Sequence, residues 1–394
     1  MKIIIAGGGI GGLTTALCCL HHGHDVVVLE RAAELGDVGA GIQIPPNAMR
    51  VFEALGLGGA FDRFAVRPEA IEARMGRSGQ MLFNIPLAET ALERWGSPYL
   101  HIHRADYITL LASALREKEK TSVRLGQEVA GYRQTLNSVT VELADGSELS
   151  GDVLVGADGV HSVVRDQMLG ADRPVFTGNV AWRAIVPIKL LGTDAPRPTA
   201  CAWMGRGAHC ATYRVRRGEF ANLVAVVERD GWTLESWSEE GSREQALADF
   251  AGWHPTITRI LEKTDRLFRW ALFDRAPLTT WVDGRVALLG DAAHPMLPFM
   301  AQGAAMAVED AWVLARELAS SASANDGLRA YQSVRYERAS AVQARSSGNS
   351  KVFHRRTWLG QLATYGPMWL AGKVAPALIH KMSDQLYGYD VTAP

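Results

Sequence analysis

Cysteine is scarce in this chain: Cys18, Cys19, Cys201 and Cys210 are the four present among 394 residues. They form no CxxC pair and no His/Cys spacing of the zinc type, which excludes a disulfide scaffold and leaves no metal site to expect. A reducing, cytoplasmic compartment fits that usage. Long apolar runs are also missing. Asp291, His294, Glu317 and Lys373 interrupt the candidates before any reaches the roughly 18 apolar residues of a spanning helix, so no membrane partner is expected. The lysine followed by an apolar run in Met1–Leu20 has the look of a secretion signal, but five glycines break it, and it reads as folded structure. Nor does charge of one sign prevail. The 41 Lys and Arg against 42 Asp and Glu leave a net charge of −1, so no global field draws the chain to nucleic acid, and an anionic ligand has to be captured by local groups. Low complexity and internal repeats are absent. The length exceeds one compact core and predicts two structural units plus an appendage, in a monomer or a homodimer.

What is present begins with a βαβ pattern. Lys2–Ala6 and Val26–Glu30 are short unalternated apolar runs, as in parallel strands covered on both faces. Between them lie a glycine turn, Gly7–Gly12, and a predicted helix, Leu13–His22, with Gly23 at the position of a C-terminal cap. Two further apolar strands, Asp152–Gly156 and Arg285–Gly290, each run into an Asp-containing turn and a helix. From Val175 to Val227 the texture changes to alternating apolar and polar runs separated by Gly205–Gly207 and Arg217–Glu219, the pattern of an antiparallel meander. A hairpin-like stretch, Glu69 to Pro98, is expected to add strands to it. From Asn325 onward the chain reads as a helical cap without a catalytic motif.

Gly7-Gly8-Gly9-Ile10-Gly11-Gly12 is a GxGxxG between a predicted strand and helix. In that context Gly7 permits the tight turn, Gly9 lets backbone approach a pyrophosphate, and Gly12 lets helix and strand pack closely. The helix N-terminus supplies unpaired N–H groups and positive dipole to the phosphates. Glu30, with Arg31 beside it, ends the second strand where a carboxylate can accept from a ribose diol. A ligand-free glycine turn is the alternative, and the motif alone does not separate NAD from FAD.

Two later segments do. Asp152-Val-Leu-Val-Gly-Ala-Asp158-Gly159-Val-His-Ser162-Val-Val-Arg165 resembles the DG motif, and Arg285-Val-Ala-Leu-Leu-Gly290-Asp291-Ala-Ala-His-Pro295 the GD motif, of the single-component flavoprotein aromatic hydroxylases. With the glycine turn, three motifs stand in that family's order along nearly the whole chain, in patterns closest to its salicylate, 3-hydroxybenzoate and 6-hydroxynicotinate hydroxylases. The resemblance implies an α/β fold: a Rossmann-like FAD-binding domain, an inserted antiparallel β-sheet substrate domain and a C-terminal helical cap, as in p-hydroxybenzoate hydroxylase. Residues 1–68, 99–174 and 275–340 are assigned to the FAD-binding domain, 69–98 and 175–274 to the β-rich substrate domain, and 341–394 to the helical region.

The same resemblance implies noncovalent FAD, NADH or NADPH as co-substrate, and O2, with hydroxyl transfer to a small, hydroxybenzoate-like aromatic acid through a flavin C4a-hydroperoxide. It places Asp291 near the ribityl chain and Asp158 at the FAD, with Arg165 bracing the turn. Pro298 through Gly303 lead into a helix beginning near Ala304, whose N-terminus would face the flavin edge that gathers negative charge on reduction. Ala301 stands where the family often has glycine. No second GxGxxG exists for the nicotinamide, which fits transient binding of that donor on a surface groove. Gly39-Ala-Gly41-Ile-Gln43-Ile-Pro-Pro-Asn47 resembles the loop that passes over the flavin ring. Gln43 replaces a histidine found in hydroxynicotinate relatives, which removes a titratable group there. Arg104 matches the family's arginine toward the pyrophosphate; a surface ion pair to Asp106 or Glu117 is the alternative.

Within the meander, His209, Ala211 and Tyr213 share one strand face. Their H-x-x-x-Y spacing recurs at the substrate pocket of relatives, where imidazole and phenol bind or deprotonate a ring hydroxyl. Simple packing in a half-buried strand is the competing reading. Arg183, on the strand Val180–Val186, is a candidate carboxylate clamp or a structural ion pair. Phe299 joins Arg183, His209, Tyr213 and Pro298 as an expected substrate contact, and Gln43 joins Tyr213 and His209 as an expected catalytic residue.

His21, His22 and His24 are expected to solvate and cap a helix end, with no metal role. His294 has no adjacent nucleophile elbow and belongs to no hydrolase triad. Two competing functions remain at this point. One is a flavin dehydrogenase or epoxidase acting on a nonaromatic metabolite; the other is a noncatalytic FAD-binding redox regulator.

Overall fold

Strands of two kinds build the molecule, and their sequences say where each belongs. The computed structural model describes residues 1–36, 40–118, 123–231 and 239–393. Unalternated Ile3, Ile4 and Ile5 have no solvent exposure. Their strand, Lys2–Ala6, lies inside a six-stranded sheet, paired in parallel with Asp25–Glu30 on one side and Val153–Gly156 on the other. Val286–Leu288 extends the parallel set, and Val282–Asp283 closes one edge antiparallel. The two later strands are thus shorter than Asp152–Gly156 and Arg285–Gly290. The helix after the glycine turn spans Ile10–His21, starting earlier than predicted because Gly9 is extended and serves as its N-cap. It packs on the helices Gly303–Ser320 and Arg104–Lys118. An antiparallel sheet of Val129–Gln134, Val139–Leu143 and Glu148–Gly151, not anticipated from sequence, adds Val139 and Val141 to the same core.

Alternating strands make the second sheet, eight strands that run antiparallel except where Ala200–Gly205 pairs in parallel with Ala70–Met75. The stretch 69–98 gives it Ala70–Met75 and Met81–Pro86, and then forms a helix, Ala88–Trp95. Cross-strand registers sort the side chains into two faces. Trp182, Ala225, Cys210 and Trp203 align on one, under the helices Arg243–Asp249 and Pro255–Lys263, with Phe250, Ile257 and Ile260 fully buried between. Ala181, Val226 and His209 align on the other, as do Arg183, Val224 and Ala211, and Asn222 with Tyr213. Tight turns set these registers. Gly207 has φ +63°, and Arg216, Arg217 and Gly218 are successively left-handed at 50°, 57° and 89°.

Beyond residue 323 the chain is helical: Ala324–Phe353, Trp358–Val374 and Pro376–Tyr387. The division at 340 falls inside the first of these, a single continuous helix. The histidines near residue 22 do not merely solvate a helix end. The rings of His21 and His22 pack 5.4 and 5.1 Å from Trp312, and His24 Nε2 lies 3.4 Å from the Ala315 carbonyl, so they dock one helix on another.

A buried charge network ties these pieces together. Asp310 accepts from Arg335 Nε at 2.8 Å and meets His294 Nε2 at 2.6 Å. Glu309 pairs with Arg335 at 2.6 Å and with Arg338 at 2.7 Å, and accepts from Asn47 Nδ2 at 2.7 Å. Glu309, Asp310 and Arg335 have no solvent exposure. Burial alone would raise the Asp310 carboxyl, but His294 and Arg335 outweigh it and hold the group below its ordinary range. Removing one member leaves a buried charge uncompensated, at a cost of roughly 3–5 kcal/mol. Asp310→Ala is therefore expected to lower the urea midpoint sharply, and Asp310→Leu combined with Arg335→Met to recover most of the loss. Equal losses in the single and double variants would show that packing, and not charge, sets the cost.

Candidate functional site

Between the six-stranded and eight-stranded sheets lies a cavity of about 640 Å³, within the roughly 300–1,000 Å³ usual for ligand sites. Its walls come from the glycine turn, the strand end at Glu30, the two Asp-containing turns and the open face of the larger sheet.

The glycine turn forms one end. Gly7, at φ +105°, leaves no room for a side chain, since a Cβ would lie 2.4 Å from the Ala157 carbonyl oxygen. Gly9 differs: a Cβ there would meet nothing within 4 Å, and the residue lines the cavity. Gly12 does not line it. Its Cβ would sit 1.9 Å from the Gly7 oxygen, so its contribution is the close contact of helix and turn. Glu30 accepts from Gly8 N at 2.7 Å and Ala32 N at 2.8 Å, which fixes the carboxylate at the cavity edge beside Arg31. Asp158 lines the same end. Ser162 Oγ donates to it at 2.5 Å and Val164 N at 3.3 Å, so it also holds the start of the helix Val163–Leu169. Burial nevertheless raises its pKa above the usual carboxylate value. Arg165 braces this turn by donating to the Val160 carbonyl at 2.9 Å.

The middle of the cavity is the GD turn and the helix behind it. Asp291 is open to the cavity while protein surrounds it on its other sides; burial raises its carboxyl, and His294 and Arg104 pull it down. Asp106 pairs with Arg216 at 3.3 Å, whereas Arg104 lies on the cavity wall. Pro298, Ala301, Gly303 and Ala304 line the cavity as well. The helix Gly303–Ser320 carries no side-chain N-cap, so its first-turn N–H groups face the space as uncapped donors. Ala301, preceding it, is left-handed at φ 52° and ψ 36°, which is why glycine suits this position better.

At the far end the larger sheet presents Arg183, Val224, Val226, His209, Ala211 and Tyr213. Arg183 stacks its guanidinium 4.1 Å from the Trp270 ring centre, and its charge tempers the rise that burial imposes on the Tyr213 phenol. The Tyr213 hydroxyl donates to the Gly41 carbonyl at 2.6 Å, while Gly41 N donates to Asn222 Oδ1 at 2.8 Å. Tyr213 and Asn222 are cross-strand partners, so one rung of the sheet grips both peptide groups of Gly41. Gln43, two residues on, lines the cavity and accepts from the Tyr99 hydroxyl at 2.5 Å. Gly39, at the start of this loop, lies outside the described residues.

His209 is 6% exposed and joins His354 Nε2 through its Nδ1 at 2.6 Å. That leaves Nε2 toward the cavity. Burial, then the neighbouring His354, lowers its pKa well below the ordinary value, so the imidazole is neutral at neutral pH. Phe299 does not line the cavity; its ring backs His209 at 5.0 Å, within a cluster that includes Trp270 and Leu297.

The remaining predicted residues converge on this one space, Gly12 and Phe299 standing behind its walls. Val224, Val226 and Asn222 were missed, although alternation in Phe220–Glu228 puts all three on the cavity face. His354 carried no sequence signal.

Comparison with known proteins gives the following. A family model described as "FAD binding domain" matches residues 1–346. The chain is 39% identical to 3-amino-4-hydroxybenzoate 2-monooxygenase PtnB3 of Streptomyces platensis, over 90% of this chain and 88% of that one. It is 36% identical to 3-hydroxybenzoate 6-hydroxylase 1 of Aquipseudomonas alcaligenes, over 98% and 97%. Among solved structures, Klebsiella pneumoniae HpxO complexed with FAD and uric acid superposes with a TM-score of 0.87 at 29% identity, over 98% of this chain and 97% of that one.

Two substitutions probe this geometry. Gly9 is extended and has free space at its Cβ, so Gly9→Val is expected to fold with the melting temperature of the FAD-free wild type and to purify colourless, its side chain occupying the approach to the pyrophosphate; full FAD occupancy in this variant rules out the assigned cradle. Ala301→Gly relieves a left-handed alanine and is expected to stabilise the protein by about 1 kcal/mol, read as a raised unfolding midpoint.

Proposed function

Because the chain belongs to the FAD-binding domain family of flavoprotein monooxygenases, we propose that it hydroxylates a small aromatic acid bearing an ionisable ring hydroxyl, with NADH or NADPH as reductant. The enzyme is an FAD-dependent monooxygenase. Among the described residues no helix is long and apolar enough to cross a membrane.

The residues present fit FAD. Gly9 leaves its Cβ position open to the cavity, and Glu30 holds a fixed carboxylate at the strand end. Asp291 faces the middle of the same space, and the uncapped N–H groups of Gly303–Ser320 offer donors and positive dipole. Gly7, Gly9, Glu30, Arg31, Arg104 and Asp158 would hold the nucleotide part; Asp291, Pro298, Gly303, Ala304 and Gln43 would hold the ribityl and ring parts. When bound and reduced by the nicotinamide, FAD supplies the activation of O2 that delivers the hydroxyl oxygen.

The protein's own part in the chemistry is charge and proton placement at the ring. His209 carries the reading: a neutral imidazole set in the cavity wall, engaged through Nδ1, accepts the ring hydroxyl proton at Nε2 and raises electron density on the ring. Arg183 brings positive charge to the same face for the substrate carboxylate. Ala211, Val224 and Val226 give the flat apolar wall that a ring requires and exclude water from it. Tyr213, its hydroxyl given to Gly41 and its pKa raised by burial, acts by positioning the Gly41–Ile44 strand and Gln43.

The two monooxygenases named above act by name on an amino-hydroxybenzoate and a hydroxybenzoate, which sets the range to search. An NAD(P)H-oxidation screen over hydroxybenzoates, amino-hydroxybenzoates and hydroxynicotinates, with product mass as readout, tests the substrate class; stimulation by none of them overturns it. With the true substrate, His209→Asn is expected to lower hydroxylation by about 10²–10⁴-fold while NAD(P)H oxidation continues and hydrogen peroxide accumulates. Tyr213→Phe, which releases Gly41, is expected to weaken coupling without moving the pH profile. Wild-type coupling in His209→Asn would remove His209 from the reaction.

A further inference from the structure

His209 does not end in the cavity wall. Its Nδ1 lies 2.6 Å from Nε2 of His354, which caps the C-terminus of the helix Ala324–Phe353. His354 Nδ1 in turn lies 3.3 Å from Glu228 Oε1, an ion-pair contact whose angle falls short of a hydrogen bond, at the end of the strand Phe220–Glu228. Glu228 Oε2 accepts from Arg356 Nε at 2.5 Å. Exposure rises along the series: the His354 side chain is 1% exposed, Glu228 25% and Arg356 70%. A continuous file of titratable groups therefore runs from the cavity to bulk water.

We propose that His354 and Glu228 are the outward leg of a proton relay that carries the substrate's hydroxyl proton from His209 to solvent. This rests on the reading of His209 as the proton acceptor. The transfer balances as one proton moved. The substrate O–H bond breaks as His209 Nε2 gains a proton; His209 Nδ1 passes its own proton to His354 Nε2; His354 Nδ1 passes its proton to Glu228, which releases it to water. Each imidazole ends neutral with its two nitrogens exchanged in role, and the substrate is left as an anion. The same path run inward returns a proton when the product is re-protonated.

The surroundings favour this use over a static ion pair. The rings nearest His209 are Phe299, Phe353 and His354, so His354 is the titratable group among them. Around His354 stand His209, Glu228 and Arg356. Burial lowers His354, Glu228 raises it and Arg356 lowers it, with a net downward shift, so both imidazoles are neutral and able to pass a proton. The helix end is held in place because the Tyr365 hydroxyl donates to the Val352 and Phe353 carbonyls at 3.1 and 3.0 Å. Aromatic rings pack around the two histidines, so the proton passes between side chains, and a small turn of the His354 ring brings its Nδ1 into line with Glu228.

The test is a pH-jump on the FAD-loaded enzyme with 3-hydroxy-4-nitrobenzoate bound, whose ionisation is followed by absorbance in stopped flow without turnover. His354→Phe and Glu228→Gln are each expected to slow ionisation of the bound probe by about 10²-fold, the low end for a lost proton acceptor, while probe affinity changes little. In His354→Ala, added imidazole is expected to restore the rate and 1-methylimidazole, which fills the hole but has one nitrogen blocked, to fail. An unchanged rate in Glu228→Gln, which preserves shape and fold at a half-buried position, overturns the relay, as does equal rescue by the two imidazoles. If His209→Asn also leaves the rate unchanged, the role of His209 itself falls; if His209→Asn alone slows it, that role stands and only the outward leg is wrong.

Discussion

The cavity depends on one constraint: the pairing of Glu309 and Asp310 with Arg335 and Arg338 inside the protein. A helix whose first-turn N–H groups are left open toward a ligand gives up the side-chain cap that would otherwise fix its end. The helix Gly303–Ser320 is held from behind instead. Asp310 also accepts from Gly290 N at 3.2 Å, so the carboxylate that anchors Arg335 sets the GD turn as well. Position of the helix and position of Asp291 are therefore consequences of the same buried charges, and Asn47 links them to the loop that bears Gln43.

The larger sheet solves a different problem, that of facing a core and a ligand at once. Period-two alternation gives Trp182, Cys210 and Ala225 to the helices and Arg183, His209, Ala211 and Tyr213 to the cavity. A sheet buried on both faces has little tolerance for polar groups, and those it carries here are engaged: His209 by His354, the Tyr213 hydroxyl by Gly41, Arg183 by Trp270. The Gly41 clamp fastens the short strand Gly41–Ile44, which pairs with Leu100–His103, to the larger sheet through the Tyr213 and Asn222 side chains, and it requires glycine there because a Cβ would run into the Tyr213 ring.

What could be read from sequence was what is local. Gly7, Gly9 and Gly12 are separated by a few residues, and their steric reasons hold in the structure, down to the difference between Gly9, which faces open space, and Gly12, which faces the Gly7 oxygen. Alternation likewise placed His209 and Tyr213 on one face. Interactions that join distant segments left no trace in spacing. Glu309 and Asp310 look like any acidic pair on a helix until Arg335 and Asn47 are brought to them, and His354 sits in a C-terminal segment with no motif at all. The sheet around Val139 and the helix Ala88–Trp95 were passed over because their patterns are short and bordered by polar turns. His21 and His22 stand at the helix C-terminus as their spacing predicts, but their contact with Trp312 could not be read from sequence, because Trp312 lies on another helix.

The strand Ala208–Val215 has a further property that follows from its two hairpin ends. Slipping it by one residue would exchange His209, Ala211 and Tyr213 for Cys210, Thr212 and Arg214 throughout the cavity wall. Gly207 at one end, and the consecutive left-handed Arg216, Arg217 and Gly218 at the other, act as the start and stop marks of a reading frame. A slip of that kind is a frameshift in three dimensions: it would set His209 and Tyr213 against the helices on the opposite face and Arg214 in the cavity wall, so the packing of the sheet would be lost together with the chemistry written on that strand.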